Sequence, residues 1–134
     1  MSGYVLDSTV IIDYCIGYKP GEDVLDQLFA QPQSLYACDV VTCEALSKGK
    51  DAEVRLAKSL LYALEYVALG PHEAAWAGDR RRDRIEAGQS KPSTTDALIA
   101  ALAHSLGATV VTRNAKDFAS FDVPVLGYGD PALD

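Results

Sequence analysis

The sequence predicts an α/β fold in which a short central parallel sheet lies between two layers of helices. Short apolar stretches of strand length alternate along the chain with longer stretches of helical periodicity, and this alternation is typical of parallel sheets covered by helices. Right-handed crossovers leave few topologies for such a sheet. The length of 134 residues fits one domain. We therefore expect residues 1–134 to form a single three-layer α/β/α domain.

Four stretches are predicted as strands. The apolar run GYVL at residues 3–6 comes first, and residues 35–38 form the second strand. Residues 108–112 and a stretch near residues 123–126 form the last two. The carboxyl ends of parallel strands meet at one edge of the sheet, which is where open α/β folds bind their ligands.

Helices are predicted between these strands from capping residues and apolar spacing. Ser8 and Thr9 are good N-cap residues, so a helix follows the first strand directly. Apolar residues recur at helical spacing over residues 51–69, which predicts one amphipathic helix there. Further helices are predicted to begin near Pro20, Asp39, Pro71 and Thr94, the last of them ending at Gly107.

Composition and charge exclude several kinds of protein. The net charge of −7 argues against binding nucleic acid through a broadly basic surface. The excess carboxylates are either solvated surface or are gathered where a cation neutralises them. No apolar run is long enough to cross a bilayer, and three cysteines are too few for a disulfide framework. We expect a cytoplasmic protein without membrane contact, with its cysteines as core thiols.

Four acids are predicted to meet at the carboxyl edge of the sheet. Asp7 follows the first strand directly, and Glu44 lies in about the first turn of the helix after the second strand. Asn114 and Asp117 follow the strand at residues 108–112. Asp96 begins a helix whose apolar run must pack against the sheet, which directs Asp96 to the same edge.

Each of these acids also has a purely structural interpretation. Asp7 could cap a helix, and Asp96 could lie in a first turn because the helix dipole favours an acid there. Glu44 could be a helix-face charge and Asp117 a loop residue. Together, however, they lie in apolar sequence, and crowded carboxylates repel one another unless a cation lies between them. Ligands that are all oxygen atoms favour Mg²⁺ or Mn²⁺ over zinc.

The motifs around these acids resemble a known family. A strand followed by Asp-Ser-Thr, a lone Glu early in a helix, TTDALIAALA at residues 94–103 and VVTRNAKDF at residues 110–118 resemble the PIN-domain nucleases. Within them, the chain is similar to the VapC-type toxins of toxin–antitoxin pairs over essentially its whole length.

The resemblance implies an endoribonuclease that hydrolyses RNA phosphodiester bonds with a water activated by Mg²⁺ or Mn²⁺, leaving a 5′-phosphate and a 3′-hydroxyl. It also implies a cognate antitoxin that blocks the acidic site, and a homodimer. The matching positions are the metal-binding acids Asp7, Glu44 and Asp96, the fourth catalytic acid Asp117, and the supporting polar residues Thr112 and Asn114.

An RNA-binding surface is predicted near these acids, mainly from the segment GDRRRDRIEAGQSK at residues 78–91. A solvated helix with internal ion pairs explains the same segment about equally well. The candidate RNA-binding residues are Arg80, Arg81, Arg82, Arg84, Lys91 and Arg113.

The surface that would bind the antitoxin should be apolar, although core packing explains most of its candidate residues. These are Leu25, Leu28, Phe29, Leu56, Leu60 and Leu64.

Two other functions are considered. A phosphatase of the haloacid-dehalogenase type needs Asp-x-Asp after the first strand, and Thr9 stands at the second position. A catalytically inactive PIN-like interaction module would be expected to lack one of the four acids, and all four are present.

Overall fold

The computed structural model describes residues 3–90 and 92–132, in which five parallel strands form one sheet in the order β3-β2-β1-β4-β5. The strands are β1 (Tyr4–Leu6), β2 (Leu35–Cys38), β3 (Glu65–Val67), β4 (Thr109–Thr112) and β5 (Val125–Gly127). The helices are α1 (Ser8–Ile16), α2 (Lys19–Phe29), α3 (Asp39–Leu46), α4 (Asp51–Tyr62), α5 (Pro71–Glu86), α6 (Thr94–Leu106) and α7 (Ala115–Phe118), with a 3-10 turn at Ala119–Phe121.

The strand order places a topological switch beside β1. The chain runs outward from β1 to β2 and β3, and then crosses back to β4 and β5 on the other side. Right-handed crossovers put α1 to α4 on one face of the sheet and α5 to α7 on the other. The contacts agree, since α1 packs against α2, α3 and α4, while α5 packs against α6. The three-layer α/β/α prediction is confirmed, and the switch lies beyond the carboxyl ends of β1 and β4.

Helix α6 carries Asp96 to this edge. Its N-cap Ser93 accepts a hydrogen bond from the Asp96 N–H at 3.0 Å, and it ends at Gly107, whose φ of 63° is a conformation that glycine tolerates best. Small alanines and two larger side chains let the helix pack closely against β1 and β4. Its buried residues are Ala97, Ile99, Ala100, Ala101, Leu102 and Ala103.

The predicted single helix over residues 51–69 is wrong. Helix α4 ends at Tyr62, and Glu65–Val67 is the edge strand β3, which pairs with β2. Leu64 is buried at the junction and Val67 packs against the core. The apolar spacing that resembles a helix therefore serves a turn and a strand, and the hydrogen bonds offered by β2 decide the conformation.

Two smaller expectations also need correction. Glu44 lies in the second turn of α3 rather than the first. Cys43 is exposed, whereas Cys38 is buried as predicted.

The apolar residues considered for antitoxin binding divide into two groups. Leu25, Leu28, Leu60 and Leu64 belong to the core, while Phe29 and Leu56 are 46% and 42% exposed. Among the described residues, no helix combines the length and the hydropathy needed to cross a membrane.

Candidate metal and RNA cleft

Asp7 lies between β1 and α1, where it is both the N-cap of α1 and a buried acid. Only 4% of its surface is exposed. Its carboxylate accepts the Ser8 N–H at 2.8 Å and the hydroxyls of Thr9 and Thr112 at 2.9 and 2.8 Å. Burial raises the pKa of Asp7, the three hydrogen bonds oppose that rise, and the charge of Glu44 adds to it.

The hydroxyls around Asp7 are themselves held by the backbone. The Thr9 hydroxyl accepts the Arg113 N–H at 3.2 Å, and the Thr112 hydroxyl accepts the Asn114 N–H at 3.0 Å. Both hydroxyls are thereby directed to donate to Asp7. The loop after β4 is thus connected to the acid after β1 through two side chains.

Glu44 approaches Asp7 from α3. The Ser8 hydroxyl donates to its Oε1 at 2.9 Å, so α1 and α3 are joined next to the buried acid. Ser8 therefore contacts both carboxylates, through its backbone and its side chain.

Asp96 lies in the first turn of α6 and is half-buried. Its pKa is raised to about 7, chiefly by burial and then by the negative charges of Asp7, Asp117 and Glu44. Because three acids from three other elements all act on Asp96, the four carboxylates form one electrostatic group.

Asp117 and Asn114 border the same group on the side of β4. Asp117 lies on α7 and is exposed, and the Asp117 N–H donates to the Asn114 carbonyl at 3.0 Å. The Asn114 side-chain oxygen accepts the Ala132 N–H at 3.0 Å. That oxygen is therefore occupied by the C-terminal segment rather than directed at the acids.

These residues line one cleft of about 600 Å³ at the switch point. All four acids, together with Asn114, face it. Thr112 lies behind Asp7 as a buried support. The further lining residues are Ser8, Thr9, Ile12, Lys48, Arg84, Ser90, Pro92, Ser93 and Lys116.

The donor chemistry of the cleft fits a hard divalent cation. Burial raises the pKa of Asp96, the charges of the three other carboxylates raise it further, and an oxygen-bound cation relieves that repulsion. Within residues 3–90 and 92–132, no three His, Cys, Asp or Glu side chains are close enough together to form a ready-made ion site.

Most of the arginines predicted to bind RNA make local contacts instead. Arg80 lies over the Trp76 ring, with its guanidinium carbon 5.2 Å from the ring centre. Arg81 donates to the Pro92 carbonyl at 3.1 Å, and Arg82 pairs with an acid one turn away at 2.9 Å. None of these three lines the acidic cleft, and RNA contact by them stays a prediction.

The other predicted RNA-binding residues have different positions. Arg84 lines the cleft while its Nε donates to the Ser90 carbonyl at 3.2 Å. The guanidinium of Arg113 turns away from the cleft toward Asp13, at 3.2 Å. Lys91 lies outside the described residues.

Sequence reasoning missed two contributors to the cleft. One is Lys48, which lies just after α3, four residues beyond Glu44, and for which the sequence offers no specific signal. Ser8 was considered only as a helix cap, and the structure adds its hydroxyl contact with Glu44.

Comparison with known proteins decides the family, because a PIN domain model matches residues 4–124. The chain belongs to the PIN domain family. A comparison with curated proteins gives no match.

Solved PIN structures share the fold of this chain. VapBC2 from Rickettsia felis, bound to a DNA fragment from its promoter, aligns with a TM-score of 0.79 and 20% identity, over 94% of this chain and 98% of that one. DNA-bound VapBC from Salmonella typhimurium aligns with a TM-score of 0.78 and 21% identity, over 95% of this chain and 98% of that one. VapC20 from Mycobacterium tuberculosis is a toxin that cleaves the sarcin–ricin loop. It aligns with a TM-score of 0.65 and 13% identity, over 81% of this chain and 87% of that one.

Proposed function

We propose that this PIN domain is a metal-dependent endoribonuclease and the toxin of a toxin–antitoxin pair. The observation that carries the proposal is the gathering of Asp7, Glu44, Asp96 and Asp117 from four elements into one cleft at the topological switch. Nuclease activity is typical of the family, and the fold is shared with VapC chains at 20% and 21% identity.

Asp7, Asp96 and Glu44 would hold Mg²⁺ or Mn²⁺, with Asp117 as the fourth acid. When bound, such an ion supplies a Lewis acid that activates water and offsets charge on the phosphoryl oxygens.

The protein's own groups prepare this chemistry. The Thr9 and Thr112 hydroxyls and the Ser8 N–H fix the orientation of the Asp7 carboxylate. The pKa of Asp96 is raised to about 7 in the ion-free cleft, so a cation that binds there at neutral pH would displace a proton.

RNA would contact three cationic side chains that line the cleft on three sides. Lys48 lies just after α3, Arg84 lies on α5, and Lys116 lies on α7 beside Asp117. Local positive charge of this kind allows a protein with a net charge of −7 to hold phosphates around an acidic centre. Changing Lys48 or Lys116 to Ala should raise KM for RNA and weaken its dependence on salt, and an unchanged KM for both variants would reject these contacts.

The antitoxin would cover the cleft and the apolar surface beside it. Helices α1, α2 and α4 pack together and expose Ile16, Phe29 and Leu56, which are 55%, 46% and 42% exposed. Several neighbours with the same fold were solved as VapBC or FitAB pairs. A homodimer is proposed on the same resemblance.

The direct test is cleavage of a mixture of structured RNAs by purified protein with Mg²⁺, Mn²⁺ or EDTA. The wild type should cut only with a divalent ion. Asp96→Asn should not cut, and Asp26→Asn, at an exposed acid of α2, should cut as well as the wild type. Cutting that persists in EDTA or in Asp96→Asn would contradict the proposal. Absence of both cutting and Mn²⁺ binding would favour an inactive interaction module.

A further inference from the structure

A second buried acid lies near the cleft but takes no part in it. Asp13, on α1, is 4% exposed. Its carboxylate accepts the Arg113 guanidinium at 3.2 Å and the Tyr128 hydroxyl at 2.7 Å. We call Asp13, Arg113 and Tyr128 the clamp.

The clamp joins three distant parts of the chain. Asp13 comes from α1, Arg113 from the loop after β4, and Tyr128 from the segment after β5. The Arg113 guanidinium also donates to the Asp130 carbonyl at 2.6 Å, and its carbon lies 4.0 Å from the centre of the Tyr18 ring. The Tyr18 hydroxyl in turn accepts the Asp130 N–H at 3.1 Å.

The backbone around the clamp has little room to move. A Cβ on Gly21 would lie 2.8 Å from the Cβ of Asp13, and a Cβ on Gly129 would lie 2.6 Å from the Tyr18 hydroxyl. Gly129 also has a φ of 59°, a conformation that glycine tolerates best. Each of these close approaches requires a glycine, so the backbone beside the clamp is adapted to this geometry.

Arg113 stands at the position where the clamp can affect the acidic cleft. Its backbone N–H binds the Thr9 hydroxyl that holds Asp7, and the next residue, Asn114, begins the segment that carries Asp117. The side-chain oxygen of Asn114 is bound by Ala132, four residues after Tyr128. Arg113 therefore presents its guanidinium to the clamp and its backbone to the cleft.

We propose that Asp13, Arg113 and Tyr128 are positioning residues, which set the loop of Asn114 and Asp117 against Asp7. This deepens the proposed nuclease function and rests on it for its catalytic consequence. A buried ion pair adds little net stability compared with apolar packing, but it fixes one arrangement of the groups that it joins. The clamp acts through the loop and touches neither RNA nor metal.

The first test uses the metal-free protein and needs no activity. Arg113→Lys keeps the positive charge but loses the forked geometry, and Tyr128→Phe removes only the hydroxyl. Amide hydrogen exchange at Asn114 and Asp117 should accelerate about tenfold or more in both variants, as expected for local opening, while α6 keeps its protection. The matched controls are Arg55→Lys, at an exposed position of α4, and Tyr62→Phe, at a side chain that is 89% exposed.

The second test measures kcat and KM for a cleaved RNA, and Mn²⁺ affinity by calorimetry, at a temperature where every variant is fully folded. Arg113→Lys should lower kcat by roughly tenfold to a hundredfold, as expected for a misplaced catalytic group, with KM within about twofold because no RNA contact changes. Mn²⁺ affinity should fall about severalfold, since acids that are no longer pre-positioned bind an ion less well.

The outcomes separate the two proposals. Unchanged exchange in both variants overturns the clamp, whatever the activity. Faster exchange with unchanged kcat and Mn²⁺ affinity shows a purely structural contact and also overturns it. A wild type that cuts no RNA and binds no Mn²⁺ contradicts the proposed nuclease, and the clamp is then judged by hydrogen exchange alone.

Discussion

Two buried acids, one capping α1 and one within it, differ in the groups that surround them. Asp7 and Asp13 are equally buried, at 4% exposure. Asp13 is matched by the Arg113 guanidinium and a tyrosine hydroxyl. Asp7 receives only a backbone N–H and two hydroxyls, and the charge of Glu44 acts against it. Within the described part of the chain, no lysine or arginine forms an ion pair with Asp7.

This difference separates an acid whose charge is neutralised within the fold from an acid whose charge is not. A buried carboxylate with its own arginine is satisfied within the fold. A buried carboxylate surrounded by further acids leaves negative charge that a cation from solution can neutralise. The same substitution should therefore mainly lower activity at Asp7 and mainly lower stability at Asp13.

Asp7→Asn should have the largest effect on activity and little effect on folding. RNA cleavage should fall by about a thousandfold or more, equivalent to about 4 kcal/mol of transition-state stabilisation. Stability of the metal-free protein should change by less than about 1 kcal/mol, because a buried charge that Glu44 repels is removed while the amide oxygen can still accept the two threonine hydroxyls. Steady-state cleavage and urea unfolding in EDTA measure both. An Asp7→Asn protein that cuts RNA normally would break the distinction.

Asp13→Asn should instead lower stability. It leaves the Arg113 guanidinium, which is 20% exposed, without its counter-charge, at an expected cost of about 3 kcal/mol. Urea unfolding of the metal-free protein measures it, with Asp26→Asn as the control for the same chemical change at an exposed position. Equal unfolding midpoints for the Asp13 and Asp7 variants would show that the two acids are not different in kind.

The stability gained from a divalent ion should also differ between the Asp7 and Asp13 variants. At an Mn²⁺ concentration of about one hundred times Kd, the wild type should gain about 2.7 kcal/mol of stability. Asp13→Asn should keep much of that gain, whereas Asp7→Asn should lose most of it. Thermal unfolding of the three proteins with Mn²⁺ and with EDTA gives the six values needed. A gain that survives in Asp7→Asn would place the ion elsewhere.

The sequence was enough to predict that the four acids meet at one edge of the sheet. Asp7 follows a strand and Asp96 and Asp117 lie in the first turn of a helix, so local rules predict their common edge, while Glu44 reaches it from the second turn of α3. The bounds of α6 agree closely with the prediction of a helix that begins near Thr94 and ends at Gly107.

Long-range contacts were the part that the sequence did not reveal. Arg113 is adjacent to a predicted site residue and was grouped with it, yet its partner Asp13 is one hundred positions away. Strand β3 was missed for the same reason, since its conformation depends on pairing with β2. Apolar periodicity and capping residues indicate the conformation that a segment prefers in isolation. They carry no information on the distant strand or side chain whose contacts outweigh that preference.

The smallest expected effect is a dependence of stability on pH that originates in the acidic cleft and not in the clamp. Asp96 has a pKa of about 7 in the folded, metal-free protein, against 3.8 as its ordinary value. The folded state therefore holds a proton that the unfolded state has released, and stability must fall as pH rises from about 4 through 7. A shift of this size corresponds to about 4 kcal/mol, and solvent screening at a half-buried position reduces the expected loss to about 1–2 kcal/mol.

Urea unfolding in EDTA at several pH values measures this loss. Asp96→Asn should flatten the profile between pH 4 and 7, because it removes the group that carries the shifted proton, whereas Asp26→Asn should leave the profile as in the wild type. Saturating Mn²⁺ should also flatten the wild-type profile at neutral pH, since a bound cation displaces the proton. A pH profile that stays steep in Asp96→Asn would assign the shifted proton to another of the four acids. A flat profile in the wild type would mean that the carboxylates do not interact as their common cleft requires.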